Sequence, residues 1–213
     1  MTTRKIYLSS FIFSSTSGII NIVGIKQIGV VLTNVTGHIS SLVQQLGDGK
    51  WEKLGLTFSY AFVYWLGAFV ASSCFTKSEY SSVSYWKSVP LLLNFGILFY
   101  AIISHTIPAW GLIWVASSQN AFGTYQSKGE IRPSQITGVV MALGSEVSNF
   151  LWAKNSPTAQ RKIGVSINTK LLNIIGFIAG GCIAMGYSSN NILVLPALFY
   201  LINLLHNIKN TVN

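Results

Sequence analysis

The sequence predicts an all-α fold, a polytopic membrane helical bundle built from two internal repeats. Three observations predict it: scarce charge, long charge-free apolar tracts, and two polar helical segments that share one phase. Half of the 213 residues are hydrophobic and only 9% are charged, against about a quarter in a soluble domain. Water is therefore not the main solvent of this surface. The net charge of +9 reflects five acids as much as fourteen bases. Those bases occupy short gaps between apolar tracts, as in cytoplasmic loops, and form no basic face, so no nucleic-acid partner is expected. Residues 1–213 read as one membrane domain whose first partner is the lipid bilayer.

Between Lys5 and Lys26 lie 20 uncharged residues, enough at about 1.5 Å each to cross a core of about 30 Å. The MTTRK start imitates a signal peptide. The tract after it is serine-rich and lacks a small-residue cleavage site, so it reads as a retained span. Residues 54–76 form a second span, with Phe58, Tyr60, Phe62, Tyr64 and Trp65. Residues 88–127 hold no Lys, Arg, Asp or Glu and are long enough for two spans. They divide near His105 and Pro108, because proline favours a helix start. Residues 171–208 hold two more, divided at the YSSNN stretch of 187–191. These make six strong spans.

Two weaker segments, 27–46 and 132–152, become amphipathic helices when plotted at 100° per residue. With Thr36 and Thr137 as common origin, Val35, Ile39, Leu42 and Leu46 match Ile136, Val140, Leu143 and Val147. The opposite half carries Thr33, Asn34, Thr36, Gly37, Ser40, Ser41, Gln44 and Gln45 in the first helix. In the second it carries Ser134, Gln135, Thr137, Gly138, Ser145, Glu146, Ser148 and Asn149. The match extends outward. Asn21 precedes the first TG pair as Asn120 precedes the second. Gly67 and Ala71 correspond to Gly176 and Gly180, a spacing of small residues that lets helix backbones approach closely. Pro90 and Pro196 fall in the apolar run that closes each half. Residues 1–107 and 108–213 are thus expected to be two copies of one unit.

The motifs SGIINIVG and NVTGH (residues 34–38) in the first half, with QNA (119–121), ITG (136–138) and Gly144–Ser145–Glu146 in the second, carry a resemblance. Over most of its length the chain resembles the YoaK family of bacterial multi-pass membrane proteins. The resemblance implies a multi-span protein of the cell inner membrane and brings no assigned activity. Two positions depart from the family pattern: Asn21 stands where an acid is usual, and His38 where an Asn is usual. A coupling step carried by that acid in relatives is put in question here.

The polar face of the two amphipathic helices admits three readings. Gly, Ser and Thr are ordinary membrane packing residues. A helix lying flat on the membrane would carry Lys and Arg on its polar face, and these faces carry none. A polar pathway between the repeats, as in transporters that bind at the midplane, best explains faces that span nearly half the helix and include carboxamides and a carboxylate. The candidate pathway residues are Asn21, Asn34, Thr36, Gly37, Gln119, Asn120, Thr137, Gly138 and Glu146.

An enzyme is hard to build from this inventory. No nucleophile has a base at a convincing position, no H-E-x-x-H or Walker A pattern occurs, and no cofactor is expected. His38 has no Cys, Asp or Glu at ligand spacing, so no metal site is read. His105 sits at a span junction and reads as an interface residue. Cys74 and Cys182 lie inside apolar runs as small hydrophobes. The leading expectation is a small-solute permease or channel whose solute is unknown; the alternative is a non-transporting scaffold or accessory subunit. A homo-oligomer is compatible with either.

Topology turns on the amphipathic pair. Eight crossings with a cytoplasmic N-terminus would put nine bases inside and five outside; six crossings would put eleven inside and three outside, and would make the repeats inverted. The charge rule favours six, whereas an unbroken helical phase through Thr36 tips the expectation to eight. Glu146 is the one acid expected at membrane depth, with Asp48, Glu52, Glu79 and Glu130 in loops. No cation is expected within its reach. It is read as a neutral hydrogen-bonded acid or a ligand for a solute or cation, or else as close enough to the interface to reach water.

Overall fold

The computed structural model describes residues 3–80, 84–127, 129, 131, 133, 135–153, 156–187 and 190–212. Glu130, Arg132, Ser134, Lys154, Ser188 and Ser189, which entered the expectations above, lie outside the described residues. Those described form helices and no strand: α1 (Thr3–Ile28), α2 (Val35–Gly47), α3 (Trp51–Tyr80), α4 (Ser88–Ile103), α5 (Ala109–Gln126), α6 (Ile136–Trp152), α7 (Pro157–Gly186) and α8 (Val194–Val212). Short 3-10 turns, Ser84–Lys87 and Asn190–Leu193, lead into α4 and α8.

Among the described residues, five tracts are long and apolar enough to cross a membrane: Thr3–Ile28, Trp51–Tyr80, Tyr85–Ile103, Pro157–Gly186 and Asn191–Lys209. The sixth expected span, α5, is a helix of 18 residues but falls outside that set, because its middle carries the polar run Ser117–Ser118–Gln119–Asn120. Those four side chains are buried among α1, α3 and α4. Burial in protein, not lipid, accommodates them.

The helices pair across the chain. Ser10 Oγ donates to the Thr169 carbonyl at 2.9 Å, Ser14 bonds Asn173, and Lys26 reaches the carbonyls of Ala184, Met185 and Tyr187. Residue numbers rise together, so α1 and α7 run parallel. Lys26 places a cation on the exposed carbonyls at the C-terminal end of α7, where the helix dipole favours one. Small residues set the closeness. A β-carbon at Gly18 would run into the carbonyl of Phe177, one at Gly176 into that of Phe11, and one at Gly180 into that of Ser15. Parallel pairing recurs between α3 and α5. Trp110 Nε1 donates to Ser59 Oγ at 2.9 Å, Gly67 abuts Ser117, and Phe75 stacks on Tyr125.

The two pairs run in opposite directions. Phe13 of α1 packs on Phe122 of α5, while Thr16 accepts from Gln119. Asn207, near the end of α8, donates to Ser88 at the start of α4 (2.7 Å), so these two are antiparallel as well. Phe13, Phe75, Leu91, Leu98, Leu112 and Tyr200 fill the shared core.

The structure corrects the expectation of an unbroken helix through Thr36. The helical phase does not run on from residue 27 to 46: α1 ends at Ile28, the chain bends through residues 29–34, and α2 starts afresh at Val35. With 13 residues, α2 is about 20 Å long, short of a hydrocarbon core of about 30 Å. Gly29 makes the reversal, with φ of 72° that side-chain-bearing residues avoid; Gly129 does the same after α5, with φ of 95°. In each bend one apolar side chain drops into a notch left by a glycine: Leu32 against Gly24, and Pro133 against Gly123. Leu32 and Ile131 are buried as a result.

The polar halves of α2 and α6 do not face one another along their length either. Each helix packs on the one that follows it, α2 on α3 and α6 on α7, because linkers of three and four residues (48–50 and 153–156) force a hairpin. Ser40, Gln44, Ser148 and Asn149 stay exposed. Two boundaries also shift. Charge does not end α7, which starts at Pro157 and carries Arg161, Lys162 and Lys170. Glu52 and Glu79 lie in the terminal turns of α3, not in loops.

Candidate functional site

The bends bring the starts of both short helices together. The first residues of α2 and α6 meet at one cavity of about 580 Å³, open on one side. From the first half come Asn21, Val31, Thr33, Asn34, Val35, Thr36 and Tyr64; from the second come Gln135, Ile136, Thr137, Gly138 and Phe177. No charged side chain lines it among the described residues.

Helix starts leave N–H groups without intrahelical acceptors. At α2 the Asn34 side chain caps Gly37 N at 2.9 Å, which explains the NVTG order: Asn at the N-cap and a glycine three residues on. Gly37 thus serves the cap, and a β-carbon there would strike the Asn34 side chain. Val35 and Thr36 keep their N–H groups. At α6 the N-cap Gln135 makes no side-chain cap bond, so Ile136, Thr137 and Gly138 keep theirs, among the described residues. Each helix start carries about half a positive charge. The cavity therefore has a positive potential built entirely from backbone.

Asn21 closes the wall from α1. It is 6% exposed, and its Oδ1 accepts from the Thr33 hydroxyl at 3.5 Å. Asn120 holds the corresponding place on α5 but does not line this cavity. Its Nδ2 donates to Tyr64 Oη at 2.5 Å, and it lines a neighbouring cleft of about 340 Å³ that shares Tyr64 and Gln135 with the first. Gln119 lies outside both. Fully buried, it donates from Nε2 to the Phe13 carbonyl (2.8 Å) and to Thr16 Oγ1 (2.5 Å), tying α5 to α1.

Glu146 is also away from the cavity, and its surroundings correct the expectation that no cation could reach it. Lys170 Nζ lies 2.6 Å from Glu146 Oε1, and Ser166 Oγ donates to the same oxygen at 2.9 Å. Because α7 begins at Pro157, Lys170 is carried more than three turns into it, and the α6–α7 hairpin lays that turn against Glu146. The pair is mostly buried, with side-chain exposures of 11% and 23%. His38 sits outside the cavity, its ring edge-on to Tyr60.

Sequence reasoning missed Tyr64 and Phe177 as cavity walls, and Gly24 and Gly123 as the notches that seat the bends. The signals were present. Tyr64 and Phe177 flank the matched glycines Gly67 and Gly176, and Asn21–Gly24 and Asn120–Gly123 repeat one Asn-x-x-Gly spacing at matching places in the two halves.

No curated protein matches the chain. No solved structure matches it either. The family described as "Protein of unknown function (DUF1275)" matches residues 9–206. With nearly the whole chain covered, from the first turns of α1 to the last turns of α8, the protein belongs to that family.

Proposed function

We propose that this chain is a small-solute permease or channel of the inner membrane, made of two inverted repeats with the solute site between them. The observation that carries this reading is the meeting of the α2 and α6 starts at one uncharged polar cavity. Broken helices that end at a central cavity are how membrane transporters expose backbone groups to a solute without exposing them to lipid. Their exposed polar residues, Ser40 and Gln44 on α2 and Ser148 and Asn149 on α6, need water or protein beside them at membrane depth.

The repeat is supported by the packing. Exchanging α1 with α5, α2 with α6, α3 with α7 and α4 with α8 turns the α1–α7 pair into α5–α3, and the α2–α3 hairpin into α6–α7. The opposite directions of α1 and α5 make the repeats inverted. Six crossings follow, by α1, α3, α4, α5, α7 and α8, with both chain ends on one side. Lys26, Lys50 and Lys53 then lie on the far side and the other eleven bases on the near side, which is cytoplasmic by the positive-inside rule.

The test is wetness, then flux. Thr36→Cys and Thr137→Cys, in a chain with Cys74 and Cys182 replaced by Ala, should each react with a membrane-impermeant thiol reagent in intact membranes. Proteoliposomes carrying the wild-type chain should swell faster than empty liposomes in at least one iso-osmotic small polar solute. Two unreactive cysteines in a folded protein, with no solute flux, would sink the pathway and leave the scaffold or accessory-subunit reading.

A further inference from the structure

The cavity has a sign. Both helices that open on it are long enough to carry an end charge, α2 with 13 residues and α6 with 17. Both present their starts. Five N–H groups, those of Val35, Thr36, Ile136, Thr137 and Gly138, have no acceptor among the described residues. Two half-charges of about +0.5 sum to about one unit of positive charge. No acid offsets it and no Lys or Arg adds to it among the described lining residues.

Asn21 points to a ligand independently of the helix ends. Its side chain is more than nine-tenths buried and lines the cavity. Its oxygen is occupied by the Thr33 hydroxyl, while its N–H₂ edge has no acceptor among the described residues. That edge opens on the cavity and is a donor available to an acceptor that enters it. Charge and donors agree: the occupant brings oxygen and a single negative charge. A cation would meet two positive helix ends, and a dianion would leave one charge unbalanced. The volume of about 580 Å³ exceeds what a bare inorganic ion fills, and Val31, Tyr64 and Phe177 offer it apolar wall.

We propose that the cavity binds a small organic monocarboxylate, its carboxylate held between the starts of α2 and α6 and the Asn21 amide, its body against Tyr64 and Phe177. This rests on taking the cavity as the solute site and does not require translocation.

The test uses the purified full chain in detergent, with thermal unfolding followed against added ligand, because a ligand of the folded state raises its apparent stability. Benzoate should raise Tm saturably. Benzamide, of equal shape and no charge, should not, and sulfate at matched ionic strength should give less than half the benzoate shift. Asn21→Leu removes the side-chain donor. Ile136→Pro removes one backbone donor at a helix position that tolerates proline. Each should weaken the apparent benzoate affinity about tenfold, the value of one charge-assisted hydrogen bond. Benzamide matching benzoate, or sulfate exceeding it, overturns the proposal. So does a wild-type benzoate response in whichever variant folds. Flux separates this from the permease reading: a benzoate shift without flux of any solute keeps the carboxylate site and removes translocation, whereas flux of a neutral solute without a benzoate shift does the reverse.

Discussion

Breaking the Glu146–Lys170 pair measures what it contributes at the α6–α7 seam. Lys170→Met leaves the Glu146 carboxylate with only the Ser166 hydroxyl at 2.9 Å, and Glu146 Oε2 is already buried without a partner. Removing one member of a fully buried pair costs about 3–5 kcal/mol, and exposed pairs contribute about 0–1 kcal/mol. With side chains 11% and 23% exposed, a loss of about 2–3 kcal/mol is expected for Lys170→Met. Glu146→Gln keeps an acceptor for Lys170 and Ser166 and should cost about 1 kcal/mol. The double variant removes both charges. It should be at least about 1 kcal/mol more stable than the sum of the single losses predicts. The assay is the midpoint of denaturant-induced unfolding in detergent for the four proteins of the cycle. Strict additivity would refute the pairing. Because neither residue lines the cavity, both single variants should keep the wild-type benzoate response; losing it in Glu146→Gln would restore Glu146 to the pathway.

Gly180→Ala should disrupt the α1–α7 contact, because the added carbon meets the Ser15 backbone, whereas Gly144→Ala, with open space around it, should be neutral or stabilising by up to about 1 kcal/mol; equal effects on unfolding would argue against the close approach. A cysteine at Lys77 should be labelled only from the cytoplasmic side, and labelling from outside would restore eight crossings. Cysteines at Thr36 and Thr137 should be joined by a short bifunctional thiol reagent, since both line one cavity, while a Ser40–Met141 pair should not, because α2 and α6 do not pack along their lengths. The reverse pattern would mean that the polar faces meet.

Helix positions were legible where apolar length decides them. Pro108 stands at the N-cap of α5 as its φ preference suggests, and the break after Gly186 falls beside the YSSNN stretch. What misled was the use of charge as a boundary. By charge alone Lys170 and Arg161 read as loop markers, yet both ride on α7, Lys170 paired with Glu146 and Arg161 exposed near the helix start. Periodicity misled in the opposite way. Thr33 and Thr36 fall on a common helical phase although residues 29–34 are not helical. A glycine reversal costs few residues and barely disturbs the apparent phase, so a hydropathy plot cannot detect it. Of the site, the sequence exposed the donors Asn21, Thr36 and Thr137. It did not expose the aromatic walls, because Tyr64 and Phe177 look like any other aromatic in an apolar helix until the backbone brings them to the cavity.

The α1–α7 pairing has a consequence for how the chain is made. Ser10 and Ser14 are fully buried against Thr169 and Asn173, each a partner 159 residues later in the chain. At synthesis rates of about 5–20 residues per second, α1 leaves the ribosome about 8–30 seconds before its partner exists. Through that interval the Ser10 and Ser14 hydroxyls have no α7 to satisfy them. Helix α1, made well before α7, is thus completed only when α7 arrives, and until then its polar stripe must be shielded by the insertion machinery or by a helix that later gives way.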